Sequence, residues 1–207
     1  MLLRKTKFIA SCADWQKWPA PLDLPIIGFW GRSNVGKSSL LNALLGGRMA
    51  HVSKTPGRTR LLNLFQNESP NCVLCDLPGY GYANLSHTLG AEIAERLQKY
   101  FSSPRAPNLL CWLVDSRHGL TKTDLMIAPL ITELALTRDL IVISTKNDKL
   151  TNNERMRNKA LLEHQLDEIG CLAPIVTFSC TSKDSVAQLN ALMEQFLTAY
   201  SQQDPTE

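Results

Sequence analysis

The chain has 207 residues, 44% of them apolar, and a formal charge of +3, which suits one ordinary domain with a sizeable core. No apolar run approaches the roughly 18 residues needed to cross a bilayer, and the start, MLLRKTK, lacks the apolar stretch and cleavage site of a signal peptide. A cytoplasmic protein with no membrane partner is therefore expected, and so small a charge is only a lean toward nucleic acid.

In chain order, apolar runs of strand length fall at 7–11, 26–30, 61–66, 72–76, 109–115, 140–145 and 175–179. Helical patterns fall between them at 37–45, 89–101, 123–136, 153–169 and 186–200. Several strands are almost wholly apolar, as parallel strands covered on both faces must be. The alternation predicts an open, mostly parallel α/β sheet whose ligands sit at the carboxyl ends of its strands. Residues 1–25 read as an N-terminal extension: a strand, then a connector (13–25) made semi-rigid by Trp15, Trp18, Pro19, Pro21 and Pro25. Residues 26–200 form the single domain, and 201–207 are a polar tail. In the last helix, Val186, Leu189, Leu192, Met193, Phe196 and Leu197 recur at helical spacing and mark a core-facing stripe. Cys72 and Cys75 form a CxxC inside a strand, where positions three apart face opposite ways. With the other four cysteines scattered singly, all six are expected to be reduced and to act as small apolar residues.

Gly31-Arg32-Ser33-Asn34-Val35-Gly36-Lys37-Ser38 matches G-x-x-x-x-G-K-[ST] between a strand and a helix. Its glycines let the backbone N–H groups wrap phosphates at a helix N-terminus. Lys37 would reach the β- and γ-phosphates, and the Ser38 hydroxyl would ligate Mg²⁺. Asp76-Leu77-Pro78-Gly79 closes the next wholly apolar strand, where an acidic residue can hold Mg²⁺ through its water shell and Gly79 can bring its N–H to a γ-phosphate. Between the two lies SKTPGRTR, a loop in which a hydroxyl has to reach the ion; Thr55 and Thr59 compete, and Thr59 is preferred. Thr145-Lys146-Asn147-Asp148 ends a further strand. There the Asp148 carboxylate would accept from the ring N–H and amino group of guanine, a donor pair that adenine lacks. Lys146 would lay its stem over the base, and backbone N–H groups around Phe178-Ser179-Cys180 would meet the guanine oxygen. The ordered set predicts GTP and GDP as ligands.

The stretches GRSNVGKSSLLNALL, SKTPGRTRLLNLF, DLPGYGYA, VDSRHGLTKTD and STKNDKL resemble the bacterial EngB family within the Era-like GTPases, over roughly residues 7–197. The resemblance implies a Ras-like P-loop GTPase, a three-layer αβα fold with a mixed sheet of six to seven strands. It implies phosphates on Gly31 to Ser38, magnesium on Ser38 and Thr59, and a first switch of Gly57, Arg58, Thr59, Arg60 and Leu61. Lys37, Thr59 and Gly79 would then serve catalysis. It also implies a partner, the large ribosomal subunit, with a role in its assembly and in normal cell division and septation. Arg60 stands where the family often has glutamine, and Ser182-Lys183-Asp184-Ser185 lacks the family's usual glycine.

Tyr80 follows the DxxG glycine where Ras-like proteins carry the glutamine that orients water, so slow intrinsic hydrolysis is expected. Asn34 is a candidate potassium ligand, since relatives with asparagine there bind that cation beside the phosphates. Arg32, Lys54, Arg58, Arg60, Arg117 and His118 all fall on loops after strands; Arg117 and His118 are the better candidates for RNA. A monomer is expected. Two outputs remain open at this level: a GTPase switch that binds ribosomes, and a nucleotide-dependent module of the division machinery in which hydrolysis is incidental.

Overall fold

The computed structural model describes residues 3, 5–12, 15–19, 23–47, 61–69, 71–81 and 95–203. Seven strands form one sheet: β1 (Thr6–Cys12), β2 (Ile26–Gly31), β3 (Leu62–Glu68), β4 (Asn71–Asp76), β5 (Leu109–Asp115), β6 (Asp139–Thr145) and β7 (Ile175–Thr177). Their order is β1-β3-β4-β2-β5-β6-β7. Strand β3 runs antiparallel to both its neighbours, and every other pairing is parallel. The helices are α1 (Lys37–Leu45), α2 (of which 95–101 are described), α3 (Lys122–Ala135), α4 (Asn152–Glu168) and α5 (Lys183–Gln203).

Period-two alternation on strands buried from both sides divides the core in two. Ile26 and Trp30 of β2 join Trp112, Tyr100, Ile131 and Leu162 beneath α2, α3 and α4. Ile27 and Phe29, from the same strand, join Leu40, Leu44, Cys111, Leu189 and Met193 beneath α1 and α5. Cys75 lies in the first core and Cys72 in the second, so the CxxC thiols do point to opposite faces. Burial pushes both thiols up to about 12. The layering is the expected αβα sandwich.

Boundaries moved where local hydrogen bonding overrode periodicity. Strand β3 begins at Leu62, leaving Leu61 in a bend. Strand β7 stops at Thr177 rather than 179, because Phe178 turns its N–H to Ser144 O (2.8 Å) and enters the base loop. Helix α3 starts early behind a capping box, in which Asp124 Oδ2 accepts from Thr121 N–H (2.8 Å) and Oγ1 (2.6 Å). A second box, Thr151 with Glu154, starts α4. Helix α5 runs on to Gln203, past the predicted end at residue 200. The connector includes one 3₁₀ turn, Trp15–Lys17, followed by a buried Trp18.

This topology collects the site. Because β2, β4, β5, β6 and β7 are parallel, their carboxyl ends share one edge. The chain reverses its direction of growth across the sheet between β2 and β5, the position where open α/β sheets leave a crevice. No helix among the described residues is long and apolar enough to cross a membrane.

Candidate nucleotide-binding site

The loop after β2 is folded for anions by its own backbone. Asn34 (φ 63°) and Gly36 (φ 109°) both lie in the left-handed region, which curls Gly31 to Gly36 into a cup and leads directly into α1. Val35 is buried beneath it. Gly31 has no room for a side chain: a Cβ there would sit 2.8 Å from Leu113 O. Lys37 and Ser38 open α1, the lysine 8% exposed and the serine half-buried. The Lys37 ammonium pairs with the buried Asp76 carboxylate at the end of β4, and Asp76 Oδ2 also accepts from Asn63 Nδ2 at 3.1 Å. A hydroxyl at the first turn of a helix and a buried carboxylate are hard oxygen donors, the type Mg²⁺ takes.

The DxxG segment is zipped onto this loop. Leu77 N–H donates to Phe29 O (3.0 Å), Trp30 Nε1 to Pro78 O (3.1 Å), and Ser33 N–H to Tyr80 O (2.9 Å). A Cβ on Gly79 would meet Ser33 Oγ at 3.2 Å and Gly31 O at 3.3 Å, so glycine here lets two backbones touch. Tyr80 turns inward. Its hydroxyl donates to Asp124 Oδ1 (2.8 Å) and accepts from Trp112 Nε1 (2.8 Å), while its ring stands edge-on to Trp30. Burial, then the neighbouring Asp124 charge, drives the phenol far above its ordinary value. It is a neutral structural donor aimed away from the phosphate cup. Arg32 lies alongside, with Nε 3.9 Å from Asp124 Oδ2.

The base-reading loops close the other side. Thr145 is buried, its hydroxyl 2.6 Å from Val35 O and 3.1 Å from Val114 O, so its work is to dock β6 against the cup. Lys146 adopts φ 60° and reaches Asn34 O at 2.6 Å. Asn147 N–H donates to Phe178 O (3.3 Å), and its carbonyl accepts from Arg155 Nε (3.0 Å), which pins the 3₁₀ turn Asn147–Lys149. Asp148 accepts from Ser179 Oγ at 2.9 Å. Burial works to raise its carboxyl, but the Ser179 bond, a backbone bond and the Lys149 ammonium together hold it below the ordinary range, an ionised acceptor suited to paired N–H donors. Phe178 is a core residue whose N–H is committed to β6, which leaves the Ser179 and Cys180 backbone for a base. The missing glycine is replaced by a serine turn: Ser182 Oγ accepts from Ser185 N–H (3.3 Å) and its carbonyl from Val186 N–H (3.2 Å).

Three features go beyond the sequence reading. Arg117 and His118 are both exposed, and Arg117 also makes a forked pair with Asp115 through Nε (2.9 Å) and Nη2 (2.8 Å). Asp115 itself was overlooked, although an acidic residue ending an apolar strand was the very signal that singled out Asp76. Burial would raise its carboxyl, yet the Arg117 and Lys146 bonds overcome that and hold it well below the carboxylate range. Asp124 was also overlooked, and no local pattern marks it as the acceptor of a tyrosine forty-four residues away. Lys54, Thr55, Gly57, Arg58, Thr59 and Arg60 lie outside the described residues; Leu61 is half-buried just before β3.

Residues 26–146 match the family model described as "50S ribosome-binding GTPase". A protein of Mycoplasmopsis synoviae named "Probable GTP-binding protein EngB" is 46% identical over 149 residues, covering 72% of this chain and 78% of its own. Its namesake in Francisella tularensis subsp. novicida is 37% identical over 201 residues, covering 96% and 94%. A crystal structure of a probable GTP-binding protein engB aligns with a TM-score of 0.62 at 25% identity, over 84% of this chain and 99% of that one. The structure of Era in complex with MgGDPNP and nucleotides 1506-1542 of 16S ribosomal RNA shares the fold, with a TM-score of 0.66 at 24% identity. That alignment covers 84% of this chain and 56% of the Era chain.

Proposed function

The chain belongs to the EngB family of GTP-binding proteins and is a GTPase, and on that premise we propose that it is a slow switch assisting assembly of the large ribosomal subunit. The reading extends to a cytoplasmic protein that also supports normal cell division and septation. The observation that carries the switch is the backbone zipper between Tyr80, Ser33 and Gly31. A γ-phosphate in the cup would meet the Gly79 N–H, so its presence or loss pulls directly on the segment leaving β4. Lys37, now on Asp76, would transfer its ammonium to the phosphates. Mg²⁺, held by Ser38 and Thr59 and by Asp76 through water, would neutralise charge developing between the β- and γ-phosphates. Asp148 and Lys146 select and cover guanine, with Ser179 fixing the carboxylate.

Slowness follows from Tyr80. Its hydroxyl is engaged by Asp124 and Trp112, so no side chain at that position orients the attacking water. The compensating charge is proposed to be K⁺ on Asn34, whose left-handed backbone leaves the side chain exposed at the rim of the cup. Hydrolysis in potassium should exceed that in sodium at matched ionic strength; equal rates remove the cation from the mechanism. The function itself is tested by cosedimentation with purified large ribosomal subunits. Binding should be strong with a non-hydrolysable GTP analogue and weak with GDP; equal binding in both states would rule out a switch.

A further inference from the structure

Two cations of different standing converge on one buried oxygen. Asp115 Oδ2 accepts from Lys146 Nζ at 2.8 Å and from Arg117 Nη2 at 2.8 Å. Its other oxygen, Oδ1, takes Arg117 Nε (2.9 Å) and the Arg117 backbone N–H (3.1 Å). The carboxylate side chain is 2% exposed, while that of Lys146 is 26% and that of Arg117 41% exposed. One partner reaches the phosphate-loop backbone at Asn34 O and the other faces solvent. Lys146 in turn bonds Asn34 O, so its ammonium ties the base loop to the phosphate cup across 112 residues of sequence.

We propose that Asp115 is the positioning residue that aims Lys146, and that Arg117 competes with Lys146 for it, so that an anionic partner drawing Arg117 outward tightens the hold on nucleotide. The competition is a matter of charge and lone pairs. Two cations at hydrogen-bond distance from one oxygen repel each other, and each takes acceptor capacity from the other. When the guanidinium leaves, the whole carboxylate turns to Lys146. The partner that can take Arg117 is an RNA phosphate, since it accepts the planar fork in the same two-point manner as a carboxylate. The identity of that partner rests on the ribosomal reading above; the shared carboxylate does not. Linkage makes the effect reciprocal: bound nucleotide, by holding Lys146 against Asp115, frees Arg117 to engage RNA.

The experiment is release of a fluorescent, non-hydrolysable GTP analogue from the full chain, followed by stopped flow in wild type, D115N, R117Q and the double variant. D115N keeps the shape but loses the charge that aims Lys146, and should release about tenfold or more faster. R117Q should release more slowly, by about threefold, because one competitor is gone. The double variant should match D115N, since Arg117 acts only through the carboxylate. The opposed signs separate positioning from a merely structural role, which would speed release in both. Purified large ribosomal subunits should slow release from wild type and leave R117Q unchanged. R117Q releasing as fast as wild type or faster, D115N releasing at the wild-type rate, or a double variant as slow as R117Q would each overturn the proposal. Should D115N fold poorly, R117Q alone decides the matter through its sign. Subunits that fail to bind at all would refute the ribosomal reading while leaving the R117Q result standing.

Discussion

Replacing Tyr80 with phenylalanine should weaken the fold and leave the chemistry alone. The hydroxyl joins two groups that have few alternatives: Asp124, 2% exposed, and the indole N–H of the buried Trp112. Removing it deletes one hydrogen bond to a charged acceptor, worth ~1.5–3 kcal/mol, and one neutral bond worth ~0.5–1.5 kcal/mol. The ring contact with Trp30 survives. A net loss of about 2–4 kcal/mol in a domain of this size lowers the thermal midpoint by about 5–15 °C. Asp124 Oδ2 stays bonded to Thr121, so α3 keeps its cap and the loss stays local. Calorimetry of wild type, Y80F, W112F and the pair gives the coupling directly. GTP turnover of Y80F, measured below its midpoint, should stay within about threefold of wild type, because no transition-state interaction is removed. A midpoint shift under about 2 °C together with a tenfold fall in turnover would refute the reasoning, since the phenol would then act on the reaction instead of the fold.

Lys37→Met should abolish GTP binding and also destabilise the nucleotide-free chain by about 3–5 kcal/mol, because it strands the buried Asp76 carboxylate; denaturant titration without nucleotide separates the two effects. Stability should fall as pH drops below about 4, the ordinary aspartate value. Asp115 and Asp148 are both depressed in the folded state, so the unfolded chain takes up their protons first and is favoured as pH falls toward the folded values. The D115N variant should flatten that acid limb. Among the cysteines, the exposed Cys180 should be alkylated first in the native protein, with GDP protecting it, while Cys72, Cys75 and Cys111 react only on unfolding; mass spectrometry of labelled peptides reads the order.

Local chemistry made much of this protein legible without coordinates. The cup, the DxxG turn and the TKND loop each need particular side chains at fixed spacing, and each follows an apolar strand, so a linear reading recovers both motif and context. Apolar runs placed all seven strands to within two residues at each end. Helix starts slipped where a capping box, Thr121 with Asp124 or Thr151 with Glu154, competed with the hydrophobic period. The sequence itself already pointed to GTP, in keeping with the family the chain belongs to, because the proposed guanine reader is one carboxylate at one strand end.

Tertiary structure alone decided what the remaining charged and polar groups do. Tyr80 could have faced the phosphates; it faces Asp124 and Trp112 because α3 and β5 bring a carboxylate and an indole to within 2.8 Å of its hydroxyl. Arg117 looked free for RNA; it is tied to Asp115, and Asp115 is in turn shared with Lys146 from the neighbouring strand end. These assignments depend on pairs separated by 31, 32 and 44 residues. A side chain at the end of a parallel strand meets whatever the next crossover delivers beside it, and no spacing along the chain encodes that neighbour.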